Sequence, residues 1–486
     1  MGINYNFSKG NDFPVWQWLP FCNAPIYGGF DSDYDGVRYI YCVGQQGVTS
    51  TSASTSQLWR FDTWGHGWQY LASVTSGNRG MSLTYDDVRN ILIITHGAGL
   101  ASWQIFNLNQ TSINICGVAC ASWTIQTMTP VLPALAEYGA TVLTINPNAT
   151  PAIIEEGLVG SGCTSTIITN ESLDSAFTDF MVGLQIKITS GTCAGQKSYI
   201  TSVTNQNTLV VGTAFSGTPS KDDAYIIETP NGTATSATVS TLVESGVLWT
   251  VNQYSNCDCL IVSGTGAGQK RRIASNTATT LTLATAVTGN ANTGNWSIVP
   301  DTTSIFKIQM SSDFLYYTAG STGTGFYKID LATGASAPTW TTLTATTASL
   351  SGGGNLMWAD SVGSFQLLVM RGNATATFYC YNVGLNSWST LATKCGAETF
   401  TTGASSSIWD GQRKLIIQKE GTTRLYALNL ATRELEPLAT IPYANPSAYD
   451  GHRLRVVTTP DKAQWLYVQR NGGAEFFRVP LEWGQF

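Results

Sequence analysis

Cysteine and histidine are the side chains of this chain that could bind a transition metal, and their spacing argues against a metal site. The 486-residue sequence has ten cysteines and three histidines. Cys257-x-Cys259 and Cys116-x3-Cys120 have spacings that hint at zinc, but neither has a second cysteine or histidine pair at a ligand spacing. Most cysteines are therefore expected to be small buried hydrophobic residues, and no metal or other cofactor is expected.

The three histidines lie in unrelated sequence contexts. His66 lies between two glycines, His96 ends an apolar run before a glycine, and His452 follows an Asp-Gly pair. Each is expected to be a turn or strand-end residue and not a metal ligand. A disulfide would require an oxidising environment after synthesis, and the two pairs considered are Cys257–Cys259 and Cys163–Cys193.

Aspartates at alternate positions begin a segment that resembles the start of a calcium-binding loop. Asp31, Asp33, Asp35 and Gly36 have the spacing of the first half of such a loop. The twelfth position of that loop requires a bidentate glutamate, and Cys42 stands there in this chain. The aspartates are therefore interpreted as polar turn residues.

Sequence signatures of common catalytic sites are absent. There is no Gly-x-Ser-x-Gly nucleophile elbow and no Ser-x-Asp-x-Gly-x-x-Trp turn of the sialidase type. Asp-Gly pairs at 35–36, 410–411 and 450–451 fall at matching places of the internal repeat described below. Turn geometry explains these pairs without catalysis, so the chain is expected not to be an enzyme.

Two glycine-rich segments, Ser190–Ile200 and Ser263–Ile273, match each other at an offset of 73 residues, from Gly195 to Gly268. A phosphate-binding loop is not indicated, because Lys197 and Lys270 each follow a glutamine and no helix signal comes after them. The segments are interpreted as tight turns that require positive φ and lead into a β-strand. The turn residues are Gly191, Gly195, Gln196, Gly264, Gly268 and Gln269.

The composition favours a packed β protein without a nucleic-acid-binding patch. Charged residues make up 12% of the chain, hydrophobic residues make up 43%, and the net charge is −6. The longest basic run is Lys270–Arg272, too short to indicate tight binding of nucleic acid. The N-terminus has no signal-peptide pattern, and the apolar stretch from Val131 to Ile145 is too short to span a bilayer.

A repeat of about 50 residues indicates a β-propeller. Each copy has a turn, an apolar strand ending in glycine, a strand with alternating aromatics, and a strand that begins with tryptophan and ends with leucine. The copies begin near Tyr34, Tyr85, Asp313, Phe365, Trp409 and Tyr449. Six blades are predicted, and seven is the alternative if residues 140–145 belong to a separate blade.

The last copy lacks its tryptophan strand, and the missing strand is present near the other end of the chain. Trp16, Trp18 and Leu19 form a Trp-x-Trp-Leu segment that would complete the last blade. The N-terminal strand is therefore predicted to close the ring, because an open ring would leave unpaired sheet edges.

The repeat resembles the kelch and galactose-oxidase-like propellers, although the paired glycines of the kelch motif are mostly reduced to one. Between about 147 and 302, aromatics become rarer and Thr, Ser and Gly rise. The predicted organisation is propeller blades in 1–146, an insertion of two related β modules in 147–302, and further blades in 303–486. The modules are placed at about 157–229 and 236–302.

The Ser-Gly-x-x-Ala-Gly-Gln-Lys block of both modules resembles small β modules of tailed-bacteriophage virion proteins. A propeller with inserted β modules is similar to the nozzle proteins of short-tailed phages. The resemblance implies a structural virion protein, made in the host cytoplasm, in a tail ring through which DNA passes. Its expected partners are further copies of itself, other tail proteins and, transiently, DNA.

Two other functions stay open. The chain could be a virion protein that binds a receptor or glycan, with Trp64, Trp103 and Trp296 as candidate sugar-stacking residues. It could also be a propeller hydrolase or oxidase, which would require carboxylates or histidines clustered on the propeller face.

Overall fold

Antiparallel β-strands form almost all of the regular structure in the computed structural model. The structure describes residues 16–20, 26–46, 56–75, 81–97, 99–134, 136, 140–147, 152–171, 176–285, 300, 302–320, 323–332, 338–350, 355–359, 363–372, 375–391, 393, 406–411, 414–419, 421–444, 452–459, 463–470 and 475–481. Helical structure in these ranges is confined to short 3₁₀ segments such as Asp179–Met181. None of the described helices is long and apolar enough to cross a membrane.

The strands before the insertion are β1 (Gln17–Trp18), β2 (Ile26–Tyr34), β3 (Tyr39–Gln46), β4 (Ser56–Asp62), β5 (Gly67–Val74), β6 (Met81–Asp86), β7 (Ile91–His96), β8 (Trp103–Asn107), β9 (Ile113–Ile115), β10 (Val118–Cys120), β11 (Ile125–Thr127) and β12 (Thr141–Thr144). The inserted strands are β13 (Ile153–Leu158), β14 (Ile167–Thr169), β15 (Gln185–Ile188), β16 (Lys197–Asn205), β17 (Thr208–Val211), β18 (Ala224–Glu228), β19 (Asn231–Thr233), β20 (Ser236–Ala237), β21 (Thr241–Val243), β22 (Asp258–Ser263), β23 (Lys270–Asn276), β24 (Thr280–Leu283) and β25 (Ile305–Gln309). The strands after the insertion are β26 (Phe314–Thr318), β27 (Phe326–Asp330), β28 (Thr341–Thr342), β29 (Asn355–Trp358), β30 (Gln366–Met370), β31 (Phe378–Asn382), β32 (Ser387–Leu391), β33 (Ser406–Trp409), β34 (Lys414–Gln418), β35 (Arg424–Asn429), β36 (Leu435–Thr440), β37 (Arg453–Thr458), β38 (Gln464–Gln469) and β39 (Phe476–Pro480).

Strands outside the insertion form six four-stranded antiparallel sheets within the described ranges. Their hydrogen-bonded orders are β2-β3-β4-β5, β6-β7-β8-β11, β12-β26-β27-β28, β29-β30-β31-β32, β33-β34-β35-β36 and β37-β38-β39-β1. The first strands contact one another in the succession β2, β6, β12, β29, β33 and β37, and β37 also contacts β2. Small sheets arranged around their first strands define a propeller-type fold, so the predicted all-β propeller class is confirmed.

The N-terminal strand lies in the sheet of the last three strands. β1 pairs antiparallel with β39, which places Trp18 opposite Phe477. The Trp16 ring meets the Phe477 ring edge-on at 5.1 Å between centroids, and the Trp16 indole N–H donates to the carbonyl of Thr440. Leu19, which follows β1, is buried. These aromatic contacts and one buried leucine attach the short strand to the sheet.

The last sheet corrects one part of the repeat assignment. Asp35–Gly36 and Asp410–Gly411 connect the first and second strands of their sheets. Asp450–Gly451 lies outside the described residues, but the strand that follows it, β37, is the first strand of its sheet. The interpretation of the three pairs as equivalent was wrong, because an Asp-Gly pair marks a turn without specifying which strands the turn connects.

Both inserted modules are sheets with one shared strand order. The first is β13-β18-β15-β16-β17-β14, and the second is β19-β25-β22-β23-β24-β21-β20. The second sheet has one extra strand, β20, at its end. The other six strands correspond one to one, in chain order, with the six strands of the first sheet. Residues 295–299 lie outside the described residues, and β25 supplies the last strand of the second module. The second sheet therefore extends to Gln309, past the predicted boundary at 302.

Candidate ligand-binding surface

The matched turns of the two modules have the backbone conformation that the turn interpretation requires. Gly191, Gly195, Gly264 and Gly268 have φ angles of 73°, 83°, 77° and 84°. Each turn leads into the central strand of its module, β16 or β23. These glycines therefore shape the backbone at turns that begin a strand.

The glutamines of the two turns bind neighbouring protein groups. Gln196 donates its amide N–H to the Ser216 hydroxyl at 2.7 Å and accepts from the Ser216 backbone N–H at 2.8 Å. Gln269 accepts from the Arg271 guanidinium at 3.0 Å. Both glutamines thus stabilise their own module.

The Lys270–Arg272 run forms ion pairs inside the chain. Arg272 pairs with Asp330 at 2.5 Å and with Asp313 at 3.3 Å, and Lys270 lies 3.4 Å from Asp258. Asp313 also pairs with Arg89 of the propeller at 2.8 Å. The most basic segment of the sequence is therefore paired with carboxylates where the second module meets the propeller.

A second contact region joins the modules to the propeller. Asp179 of the first module pairs with Arg433 at 2.5 Å. Tyr254 of the second module packs edge-on against Phe365 at 5.2 Å, and its hydroxyl donates to the carbonyl of Gly183 in the first module. Both modules thus pack on the sheets β29–β32 and β33–β36 through buried side chains.

The aspartates of the calcium-like segment bind protein donors. Asp31 accepts from the Arg453 guanidinium at 3.0 Å and from the Leu83 backbone N–H at 2.9 Å. Asp33 accepts from the Tyr85 backbone N–H at 2.7 Å. In the part of the chain that the structure describes, no three His, Cys, Asp or Glu side chains are grouped to hold a metal ion. The aspartates connect β2 to its neighbours β6 and β37.

The described cysteines are separate thiols. Neither Cys257 and Cys259 nor Cys163 and Cys193 form a disulfide, and of the eight described cysteines only Cys163 is not fully buried. Cys22 and Cys395 lie outside the described residues. Burial raises the pKa of the Cys259 thiol to about 12, which keeps it protonated and unreactive.

The histidines do not come together. His96 ends β7 and is buried, with one ring nitrogen 2.7 Å from the Ser102 hydroxyl and the other 2.9 Å from the Gln104 amide oxygen. His66 lies in the turn between β4 and β5 with a positive φ of 50°. Burial lowers the pKa of His452 to about 4, so this ring is neutral at neutral pH.

Of the three tryptophans considered for sugar stacking, only Trp64 is seen to have an exposed ring. Trp64 is 50% exposed, whereas Trp103 is fully buried and donates its indole N–H to the carbonyl of Pro130. The assignment of Trp103 was wrong, because a tryptophan at the start of a strand can face either side of the sheet. Trp296 lies outside the described residues.

Trp64 is one end of an alternating row of aromatic rings and arginines. The Arg38 guanidinium lies 5.0 Å from the Trp64 ring and 5.1 Å from the Tyr39 ring. The Arg60 guanidinium lies 4.3 Å from the Tyr39 ring and 5.3 Å from the Trp123 ring. Trp123 is 37% exposed. We call these five residues the Trp64–Trp123 ladder, in which each contact has the geometry of a cation–π interaction.

Hydrogen bonds hold the arginines of the ladder in place. Arg38 forms a two-point contact with Asp62, at 3.0 Å and 2.5 Å, and this hydrogen bonding lowers the pKa of the Asp62 carboxyl. Asp62 also accepts from the backbone N–H of Trp64, which fixes the turn that presents the indole. Arg60 donates to the Gln69 side chain at 2.8 Å. The aromatic rings are therefore ordered before any ligand arrives, which lowers the entropic cost of binding.

Connections of two neighbouring sheets build the ladder. Arg38 lies in the β2–β3 connection, Trp64 in the β4–β5 connection, and Trp123 between β8 and β11. Trp123 was not among the tryptophans considered for sugar stacking. The pairing of Tyr41 with Arg60 across β3 and β4 brings Tyr39 near Arg60, and this register is not readable from the sequence.

The ladder and the modules lie at one end of the propeller. Asp31 and Asp33 of β2 accept from Leu83 and Tyr85 of β6, so these two first strands run in the same direction. The Val142 backbone N–H donates to the Ser82 hydroxyl, and the Thr144 backbone N–H donates to the Thr84 hydroxyl, so β6 and β12 also run in the same direction. The insertion begins after β12, and the β2–β3 turn begins after β2. Because β2 and β12 are first strands that run in the same direction, both connections leave from the same end of the sheets.

No protein-family model and no curated protein matches this chain. Among solved structures, YjhT is 15% identical over 36% of this chain, with a TM-score of 0.25. The match spans 65% of the YjhT chain, which is slightly less than two thirds of its length. The phage phi92 endosialidase is 10% identical over 97% of this chain and 70% of its own, with a TM-score of 0.37. A mutant of AofleA from Arthrobotrys oligospora is 7% identical over 98% of this chain and 89% of its own, with a TM-score of 0.41. These TM-scores are below 0.5, so the likenesses carry no argument about function.

Proposed function

We propose that the chain is a non-enzymatic virion protein of a tailed phage that binds a saccharide on the Trp64–Trp123 ladder. The observation that carries the proposal is the pair of exposed indoles at the two ends of one ordered row. Sugar rings present C–H faces that pack on exposed aromatic rings, while their hydroxyls hydrogen-bond to nearby polar groups. The phage context rests on the resemblance of the duplicated Ser-Gly-x-x-Ala-Gly-Gln-Lys segments to virion modules.

Removal of either exposed indole is expected to weaken glycan binding. An aromatic stacking contact contributes about 1 kcal/mol beyond surface burial, so Trp64→Ala and Trp123→Ala should each reduce affinity at least about fivefold. The measurement is binding of the full chain to an array of bacterial surface glycans, followed by titration calorimetry with the best ligand. The two variants together should abolish detectable binding.

The matched control is Tyr70→Ala. Tyr70 is 44% exposed and belongs to the same sheet as Trp64, but it has no place in the ladder. This variant should bind as the unmodified chain does. A chain that binds no glycan, or one whose binding is the same in all three variants, would contradict the proposal.

A structural role in a ring of identical subunits is the second candidate, and the edge of the first module favours it. β13 is the end strand of its sheet, and its residues Ile153 and Leu158 are 47% and 53% exposed. An end strand with exposed apolar side chains is a surface to which another copy can add. The tight packing of both modules on the propeller would let such a contact transmit force across a tail ring.

Self-assembly is expected to depend on β13. Light scattering and negative-stain images of the purified full chain should show closed rings, and Leu158→Lys should return the protein to monomers by placing a charge in the contact. Val251→Lys, at a residue that is 58% exposed in the second module, should leave the rings intact. A monomer of about 52.1 kDa at all concentrations would contradict a self-assembling ring.

A further inference from the structure

A buried lysine and an asparagine meet where the second module contacts the propeller. Lys328, on β27, is 7% exposed, and its amino group donates to the side-chain oxygen of Asn256 at 2.6 Å. Asn256 lies in the turn before β22 and has a positive φ of 65°. Because a carbonyl bond is about 1.23 Å long, the Asn256 Cγ atom is at most about 3.8 Å from the lysine nitrogen.

Within the described residues, no carboxylate lies at ion-pair distance from the amino group of Lys328. Among the ion pairs of the described residues, none includes Lys328. Its nearest ring is Phe314, whose centroid lies 4.0 Å from the amino group, and the Arg272 guanidinium lies 4.2 Å from the same centroid. The cost of burying an ammonium and the nearby guanidinium charge both favour the neutral amine, whereas the face of the Phe314 ring favours the charged form.

The neutral amine is populated near neutral pH. Burial lowers the pKa of Lys328 to about 8, and the charge of Arg272 acts in the same direction. About a tenth of the molecules then have an unprotonated amine at pH 7, compared with fewer than about one in a thousand for an ordinary lysine. A desolvated lysine of this kind is a nucleophile toward carbonyl carbon.

We propose that Lys328 and Asn256 join in an intramolecular isopeptide bond. The lone pair of the lysine Nζ forms a bond to Cγ of Asn256, and the Cγ–Nδ2 bond breaks. Nδ2 leaves as ammonia, with its own two hydrogens and one proton that was on Nζ. The product is a secondary amide between the two side chains, and the reaction needs no oxidant, reductant or co-reactant.

A carboxyl group follows each reacting residue by two positions. Asp258 forms an ion pair with Lys270 at 3.4 Å, and burial raises the pKa of its carboxyl. Burial acts to raise the pKa of Asp330 as well, but hydrogen bonding to Arg272 outweighs it and the pKa is lowered. Cationic side chains hold both carboxyls, so neither is given a step, and the proton passes from Nζ to Nδ2 as the Cγ–Nδ2 bond breaks.

The bond would fix the second module to the propeller. It would connect the turn before β22 with β27, next to the ion pairs of Arg272. A covalent link at this place would keep the module seated when force acts on the particle, whichever of the functions above holds.

The test is the intact mass of the purified, denatured full chain. The expected mass is lower than the sequence mass by one molecule of ammonia, and peptide mapping should find one branched peptide that joins residues 256 and 328. Lys328→Arg and Asn256→Ala should each remove both signatures. Lys270→Arg, which changes a nearby lysine that is held in ion pairs, should retain them.

Two results would overturn the proposal. One is a chain with the full sequence mass and no branched peptide after prolonged incubation at mildly alkaline pH. The other is a mass deficit that persists in Lys328→Arg, because that deficit would come from cyclisation of an asparagine onto its own backbone. The branched peptide of the unmodified chain is decisive even if a variant fails to fold.

Discussion

Asp31→Ala is expected to destabilise the propeller by about 3 kcal/mol, because it removes the acceptor of two partly buried arginines. The side chains of Asp31, Arg453 and Arg455 are 13%, 21% and 12% exposed, so water cannot fully replace the lost carboxylate. Arg455 retains a weaker contact with Asp33 at 3.6 Å, which places the expected loss at the low end for a broken buried ion pair. The measurement is the tryptophan-fluorescence unfolding midpoint in urea.

The position of Asp31 makes the effect larger than that of a single ion pair. Its carboxylate also accepts from the Ser82 hydroxyl at 3.0 Å and from the Leu83 backbone N–H, so the substitution removes the acceptor of two β6 donors. β2 contacts β37 on one side and β6 on the other, and Asp31 bonds to both. We expect these contacts between blades to loosen together.

Lys221→Ala is the control for the Asp31 variant. Lys221 pairs with Glu171 at 2.9 Å, but both side chains are more than half exposed. Exposed ion pairs contribute little to stability, so the unfolding midpoint should not move measurably. If Asp31→Ala behaved in the same way, the connection of β2 to β37 would have to depend on apolar packing and not on the carboxylate.

Sequence reasoning reached the fold class because the repeat is encoded locally. Each copy has its own turn and its own alternating aromatics, so the period is visible without knowledge of contacts. The Asp-Gly pair at 450–451 was wrongly matched with the other two pairs. In sequence, such a pair before the first strand of a sheet looks the same as one before the second strand. The sheet of the second module extends to Gln309 because β25 pairs with β22, a pairing that no local sequence pattern indicates.

The candidate sites could not be predicted to the same degree. The ladder combines side chains from three connections and two strands of two sheets, and Arg38 and Trp123 are 85 positions apart in the chain. The Lys328–Asn256 contact joins the insertion to the propeller across 72 positions of the chain, so no local sequence pattern predicts it. The buried state of Trp103 depends on which side of β8 its ring faces, a choice that the position alone leaves open.

Gly264→Ala should destabilise the second module far more than Gly268→Ala, although both glycines have positive φ. Each substitution places an L-residue in the left-handed region, which costs about 1 kcal/mol. A β-carbon on Gly268 would meet open space, whereas one on Gly264 would lie 2.1 Å from the backbone carbonyl oxygen of Thr303. Since a backbone cannot rotate away as a side chain can, we expect Gly264→Ala to prevent the second module from folding.

The corresponding glycines of the first module supply matched comparisons. A β-carbon on Gly195 would also meet open space, so Gly195→Ala should match Gly268→Ala. A β-carbon on Gly191 would lie 1.9 Å from the side chain of Asp223, which can move only by giving up its bond to the Ser220 backbone N–H. The expected order of destabilisation is Gly264→Ala, then Gly191→Ala, then the other two together, as measured by limited proteolysis of the full chain. Equal losses in all four variants would mean that φ alone matters at these turns and that the close backbone approach at Gly264 contributes nothing.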